Sequence, residues 1–173
     1  VIILNGFGMT GAVVKFQRIL GLKNNNLRSG SPFQDDLEPP VVFITHMEHH
    51  SNQTSWYETC ADVVVVEPGD DLGFDLDNLR NALHQYRHRK RKIGSFTACS
   101  NVTGIRTPVH EMARIMHEHG GLIFVDYAAS APYDAINMHP GDPMEKLDAI
   151  FFSPHKFLGG PGSSGVLIFD SSL

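Results

Sequence analysis

The stretch Ala149-Ile150-Phe151-Phe152-Ser153-Pro154-His155-Lys156, followed by Phe157-Leu158-Gly159-Gly160-Pro161-Gly162, decides how this chain is read. Four apolar residues in a row, bounded by proline and glycine, predict a short strand buried on both faces. A lysine at the exit of such a strand is expected to lose water, which disfavours its charged form and suits it to imine chemistry. The glycines beyond it leave room for a ligand to approach closely. A second apolar run, Leu122-Ile123-Phe124-Val125, ends in Asp126. If the two strands are parallel neighbours, a carboxylate and an amine meet at one edge of the sheet.

Outward from these two runs, short β-rich segments alternate with helical patterns, the signature of βαβ units and a largely parallel sheet. The expected strands are Val1 to Leu4, Val41 to Thr45, Val63 to Val66, Ile93 to Ala98, Leu122 to Val125, Ala149 to Phe152 and Val166 to Phe169. The last follows a glycine-rich turn, which allows it to run antiparallel. Helices are predicted over Gly11 to Leu20, over Asp75 to Lys92, and over Pro108 to His119, where proline leads and Gly120-Gly121 follows. The second begins with carboxylates and ends in Arg87-His88-Arg89-Lys90-Arg91-Lys92, the charge order that a helix dipole favours. That basic run reads as a solvated helix end. Lys23 to Pro40, with three consecutive asparagines, reads as a long loop.

Composition bounds the remaining classes. The 173 residues, 42% of them apolar, suit one ordinary core. Fourteen basic residues against nineteen acidic ones give a net charge of −5, so neither nucleic acid nor an anionic membrane surface is an expected partner. Two cysteines, Cys60 and Cys99, make no disulfide framework, and a reducing, intracellular compartment is expected, cytoplasmic rather than mitochondrial. The ten histidines are scattered, and no metal site is expected. Val1 sits inside a strand pattern and Leu173 directly follows another, so the chain reads as a piece of a longer polypeptide.

Ligands of open α/β sheets bind at the carboxyl ends of the strands, and five of these ends carry polar clusters. The first, Asn5-Gly6-Phe7-Gly8-Met9-Thr10-Gly11, matches G-x-G-x-x-G. A dinucleotide site is one reading of it, but no acid stands at the end of a second strand some twenty residues on, where Asn24-Asn25-Asn26 occurs instead. The N–H groups of Gly8, Met9 and Thr10, with the Thr10 hydroxyl, suit a single phosphate, and a simple capped glycine turn is the bland alternative. Glu48-His49-His50 resembles a metal cluster, yet adjacent histidines on an extended segment point to opposite faces. One flat imidazole suits stacking on an aromatic cofactor better. Ser153 and His155 offer further donors for phosphate, with Ser153 as an ordinary cap on the plainer reading. An amine that can hold an aldehyde and a carboxylate that can keep a ring nitrogen protonated are the pair that pyridoxal phosphate requires.

These segments carry a family resemblance. Met47-Glu48-His49-His50-Ser51-Asn52 with Trp56, Ser100-Asn101-Val102-Thr103-Gly104 with Pro108-Val109, Val125-Asp126 with Ala128, and Ser153 to Lys156 with Gly159-Gly160-Pro161-Gly162 resemble the large domain of class V aminotransferase-fold enzymes, nearest the cysteine desulfurase and selenocysteine lyase branch. The resemblance implies an α/β three-layer sandwich with a mostly parallel mixed sheet, the fold type I large domain, over residues 1–173, with an N-terminal segment and a small domain outside them. It implies pyridoxal 5'-phosphate as cofactor, joined to Lys156, with Asp126 at the pyridine nitrogen and His49 stacked on the ring. Gly8, Met9, Thr10, Ser153 and His155 then hold the phosphate, and Asn101 faces the substrate carboxylate. The implied reaction removes sulfur or selenium from an amino acid to leave alanine. An aminotransferase, an epimerase or a catalytically incomplete domain of the same fold are the alternatives. A homodimer and a sulfur-acceptor protein are the implied partners, and the 173 residues alone are expected to be inactive. One departure is plain: where these desulfurases show D-x-A-Q, this chain has Asp126-Tyr127-Ala128-Ala129, and Ser130 or a water is the expected substitute for the missing amide. Cys99, near the site, is read as a buried structural thiol.

Overall fold

The computed structural model describes residues 1–23 and 38–173. Seven strands form one sheet: β1 (Ile2–Asn5), β2 (Val41–Thr45), β3 (Asp62–Val66), β4 (Lys92–Thr97), β5 (Leu122–Asp126), β6 (Ala149–Phe152) and β7 (Gly165–Phe169), in the order β1-β7-β6-β5-β4-β2-β3. All seven lie within a residue or so of their expected places. The five strands from β3 to β6 across the sheet run parallel, and β7 turns antiparallel to both β6 and β1. That reversal restores β1 to the direction of the parallel set, so its carboxyl end joins theirs.

Helices α1 (Gly8–Ile19), α2 (His50–Tyr57), α3 (Leu76–Gln85) and α4 (Val109–Glu118) complete the α/β fold. Because β2 is buried along its whole length, its alternate side chains feed both layers: Val42 and Ile44 pack on the α1 side with Phe16, Trp56, Phe124 and Phe151. Val41 and Phe43 pack on the other side with Leu79, Leu83, Met112 and Met116. This is why the central strands read as unbroken apolar runs. Phe16 sits edge-on to Phe124 at 4.8 Å between ring centres, an aromatic contact that seats α1 on the sheet. Among the described residues no helix is long and apolar enough to cross a membrane.

Three expectations are corrected. Helix α1 starts at Gly8, three residues before the predicted Gly11, because the glycine turn leads directly into it. Helix α3 is capped by Asp75, whose Oδ1 accepts from the N–H groups of Asp77 and Asn78, but it stops at Gln85 and does not reach Lys92. Tyr86 turns edge-on to Phe43, and the basic run folds back to begin β4. Arg89 and Lys92 are therefore buried: Arg89 pairs with Asp62 at 2.8 Å and Glu38 at 3.3 Å, and Lys92 donates to the Arg89 carbonyl. Charge that looked like a solvated face instead ties the amino ends of β2, β3 and β4 together. Helix α2 was not anticipated at all. The loop predicted over Lys23 to Pro40 lies, for residues 24–37, outside the described residues.

Candidate active site

β5 and β6 are adjacent and parallel, with Asp126 in register with Phe151. Asp126 ends β5, and Lys156 follows β6 in the short 3-10 turn Pro154–Lys156. Both line one cleft of about 200 Å³ at the carboxyl edge of the sheet. The same cleft takes Met9 and Thr10 from the start of α1, His49 from the start of α2, Asn101 from the loop after β4, and Ser153 and His155 from the end of β6. Gly8 stands behind them: a Cβ there would come 2.7 Å from Cε1 of His155 and 3.1 Å from Oγ of Ser153. Lys156, Asp126, His49, Met9, Thr10, Asn101, Ser153 and His155 thus line one cleft, with Gly8 behind them, whereas His50 and Ser130 do not line it.

Asp126 is buried and accepts a hydrogen bond from the Ala128 N–H at 2.8 Å. Burial raises its pKa from 3.8 to about 6, against the Ala128 bond and the attraction of Lys156. Lys156 does not meet its expectation: its side chain is exposed at the rim, not desolvated, because the turn carries it beyond the buried end of β6. Ser153 is buried, and its hydroxyl accepts from the Met9 N–H at 2.8 Å. The Met9 amide, expected to be free for an anion, is therefore bonded to Ser153, which ties α1 to the end of β6. Ser130 is buried and does not line the cleft, whereas Ala129 does, so Ser130 is no substitute for the missing amide. Cys99 is buried, lines the cleft and keeps a free thiol.

His49 caps α2 in an extended conformation. Its Nδ1 accepts from the Ser51 N–H at 3.2 Å and lies 2.7 Å from the Ser51 hydroxyl. An amide N–H only donates, so Nδ1 is the unprotonated nitrogen and the neutral ring carries its proton on Nε2. Partial burial, then the charges of Lys156 and His50, hold the imidazole pKa below its ordinary value. The neighbouring His50 ring is 6.2 Å away and tilted, and Glu48 is buried, so the three residues do not converge on one ion.

Sequence reading missed Thr97, Phe7 and Ser51, which line the cleft, and Gly165 behind the Gly8 turn, and it read Glu48 only as an acid beside two histidines. Phe7 is 96% exposed in a left-handed conformation (φ 72°) at the turn before α1. Gly165 opens β7 directly against Gly8: a Cβ there would lie 1.9 Å from the Gly8 carbonyl oxygen. Gly165→Ala is expected to push the turn at Gly8–Thr10 away from Ser153 and to cost about 1–3 kcal/mol, read from urea midpoints. Gly6→Ala, where an added Cβ meets nothing within 4 Å, is the control and should stay close to wild type.

Comparison with known proteins places the chain in a family. The family model for aminotransferase class-V matches residues 37–173. A cysteine desulfurase of Escherichia coli is 32% identical over 156 residues, covering 87% of this chain and 34% of that protein. A Halobacterium salinarum protein named "Probable cysteine desulfurase" is 35% identical over 127 residues, 70% of this chain and 28% of its own length. The apo structure of a cysteine desulfurase from Thermococcus onnurineus NA1 superposes with a TM-score of 0.76 over 99% of this chain and 38% of that one, at 21% identity. The fold is that of the fold type I pyridoxal phosphate enzymes. The chain belongs to the class-V aminotransferase family, whose members depend on pyridoxal phosphate, and it spans about a third of the length of the curated relatives it matches.

Proposed function

We propose that residues 1–173 are the cofactor-binding large domain of a pyridoxal phosphate enzyme that removes sulfur or selenium from cysteine or selenocysteine and leaves alanine. The observation that carries the reading is the single cleft in which Lys156, buried Asp126 and the donors of Thr10, Ser153 and His155 face one another. The donor set fits the cofactor. Hydroxyl and imidazole groups beside the start of α1 suit a dianionic phosphate, whose approach the absence of a Cβ at Gly8 permits. When bound, pyridoxal phosphate supplies an aldehyde that captures amines and a ring that accepts the electron pair released at the substrate α-carbon.

The chain's own residues supply the rest. Lys156 is the amine that would hold the cofactor aldehyde, and its Nζ would carry the α-proton of the substrate when free. Asp126, whose burial penalises its charge, would be relieved by a cationic ring nitrogen and would so favour a protonated ring. His49 would cover one face of the ring with a neutral imidazole, and Asn101 would meet the substrate carboxylate. Exposed apolar side chains on the same edge, Phe7, Val102 and Leu158, support a homodimer that covers them. A sulfur-acceptor protein and a cytoplasmic location complete the reading.

Incubation of the full-length protein with pyridoxal phosphate is expected to give a visible absorbance band. Borohydride should fix the cofactor on the peptide that contains Lys156, and added cysteine or selenocysteine, with a dithiol reductant present to supply two electrons, should yield alanine with sulfide or selenide and the oxidised dithiol. Covalent capture without alanine would retain the cofactor and reject the desulfurase reading, and absence of capture would reject both.

A further inference from the structure

Glu48 is the most heavily bonded acid in the described structure, yet no part of the cofactor reading uses it. It follows β2 and is buried with its carboxylate in the gap where β2 and β4 separate, their pairing having ended at Phe43 and Gly94. Oε1 accepts from the Thr45 N–H at 3.2 Å, the Thr45 hydroxyl at 2.8 Å and the Thr97 N–H at 2.8 Å. Oε2 accepts from Asn52 Nδ2 at 2.7 Å. The directions of the three N–H bonds are fixed. Trp56 Nε1 can only donate, and it reaches Asn52 Oδ1 at 3.2 Å, where the Ser95 hydroxyl also donates at 2.8 Å. The Asn52 amide group must therefore face Glu48, and the backbone N–H groups of Thr45 and Thr97 cannot reverse. Three of the four bonds, from the Thr45 and Thr97 N–H groups and the Asn52 amide, demand an acceptor, and an ionised carboxylate supplies one at both oxygens while also accepting from the Thr45 hydroxyl.

The three segments joined in this way are the walls of the cleft. The residue after Glu48 is His49, Asn52 lies in the first turn of the helix that His49 caps, and Thr97 itself lines the cleft one strand away. We propose that Glu48 is a positioning residue of this site, its carboxylate joining the end of β2, the start of α2 and the end of β4 so that His49 and Thr97–Cys99 hold their places. The proposal deepens the cofactor reading and takes its functional meaning from it. Removal of this acceptor would leave buried N–H groups unpaired at the point where the two cleft walls meet.

Burial raises the Glu48 pKa from 4.5 to about 7, against its bonds to Asn52, Thr97 and Thr45, and Asp126 on β5 adds to the rise. The groups facing it from β4 and α2, Thr97 and Asn52, are neutral. Protonation near neutrality is thus a second way of disturbing the same junction without a mutation.

The test is nuclear magnetic resonance on the cofactor-free chain. Glu48→Gln keeps the volume and an acceptor for Thr45 and Thr97, but it turns an amide donor toward the Asn52 amide, which cannot rotate away. Displacement of the His49 ring signals and of the Thr97–Cys99 amides is expected, with the His117 ring at the opposite edge unchanged. Asp148→Asn, which breaks the 2.8 Å His117–Asp148 contact, is expected to do the reverse. A folded Glu48→Gln protein whose His49 and Thr97–Cys99 signals stay in place would overturn the proposal, since a purely structural role would lower stability without moving them. If that variant does not fold, the wild-type titration decides. The Thr97 amide, and a second inflection in the His49 ring, should follow the Glu48 carboxyl carbon with one midpoint, and separate midpoints would reject the coupling. Neither readout involves pyridoxal phosphate. A failed cofactor titration beside displaced signals would therefore reject the cofactor and leave Glu48 as the organiser of a cleft for another ligand.

Discussion

Lys156→Ala is expected to abolish covalent attachment of pyridoxal phosphate entirely and to lower turnover by at least about 10²–10⁴-fold, the range for loss of a positioned acid–base group. The same substitution should leave the fold intact. Lys156 is exposed at the rim of the cleft, and exposed side chains usually change stability by no more than about 0.5 kcal/mol on truncation. The two halves of this result are separable by mass after borohydride treatment and by the urea midpoint of the cofactor-free chain. Retention of a borohydride-fixed adduct in the variant would assign the anchor to another amine and displace Lys156 from the centre of the chemistry.

Asp126→Asn should trade function for stability. In the unfolded chain the carboxyl titrates near 3.8, and in the cofactor-free fold burial moves it to about 6. Below about pH 3.8 both states are protonated and the buried acid carries no charge penalty. As pH rises from there toward 6 the unfolded state ionises first, so stability is lost through this window, and above 6 the full penalty remains. Asparagine is neutral throughout and can still accept from the Ala128 N–H. The variant should therefore match wild type near pH 4 and exceed it above pH 6 by about 2–3 kcal/mol, the worth of a shift of that size. Part of the wild-type slope will persist, since Glu48 acts with the same sign up to about pH 7. Turnover should nevertheless fall by about 10²–10³-fold, because asparagine supplies no negative charge to hold the ring nitrogen protonated. Equal stability of the two proteins at pH 8 would show that the Asp126 carboxyl is not desolvated as described.

His117 at the far edge adds a slope of its own. Its ring lies between the Asp148 carboxylate and the Met144 carbonyl, and the Asp148 bond, partly offset by burial, raises its pKa. Stability from this contact is complete below about 6.5 and is lost as pH rises through the higher folded value. It therefore declines in the same direction as the two buried acids.

The strands were legible because each central one is buried on both faces, so β-branched and aromatic residues run together without interruption. The polar clusters at their carboxyl ends were legible for a related reason: a parallel sheet delivers consecutive strand exits to the same rim. Helix α2 escaped notice because its buried face is Asn52, Ser55 and Trp56, two of them polar, and apolar periodicity cannot reveal a face that is satisfied by hydrogen bonds. The end of α3 was misjudged because the partners of Arg89, Asp62 and Glu38, are distant in the chain. Gly165 carries no local mark of importance, since the need for glycine arises from the Gly8 carbonyl at the other end of the sequence. Glu48 was legible as an acid beside two histidines, but its partners on β4 follow only from the fold.

Strand β1 pairs with β7 alone among the described residues. Among the described residues β1 thus has no mate until β7 has been synthesised, since Ile2 pairs with Ile168, and a closure of such wide sequence separation is slow. Until then Ile2 and Leu4 are carried as an unzipped ribbon, a form open to mispairing with other nascent chains. The end of the cleft formed by Met9 and Thr10 is accordingly the last part to assemble, and a product ending before Gly165 would keep Asp126 and Lys156 in one cleft with nothing to seat the turn between β1 and α1.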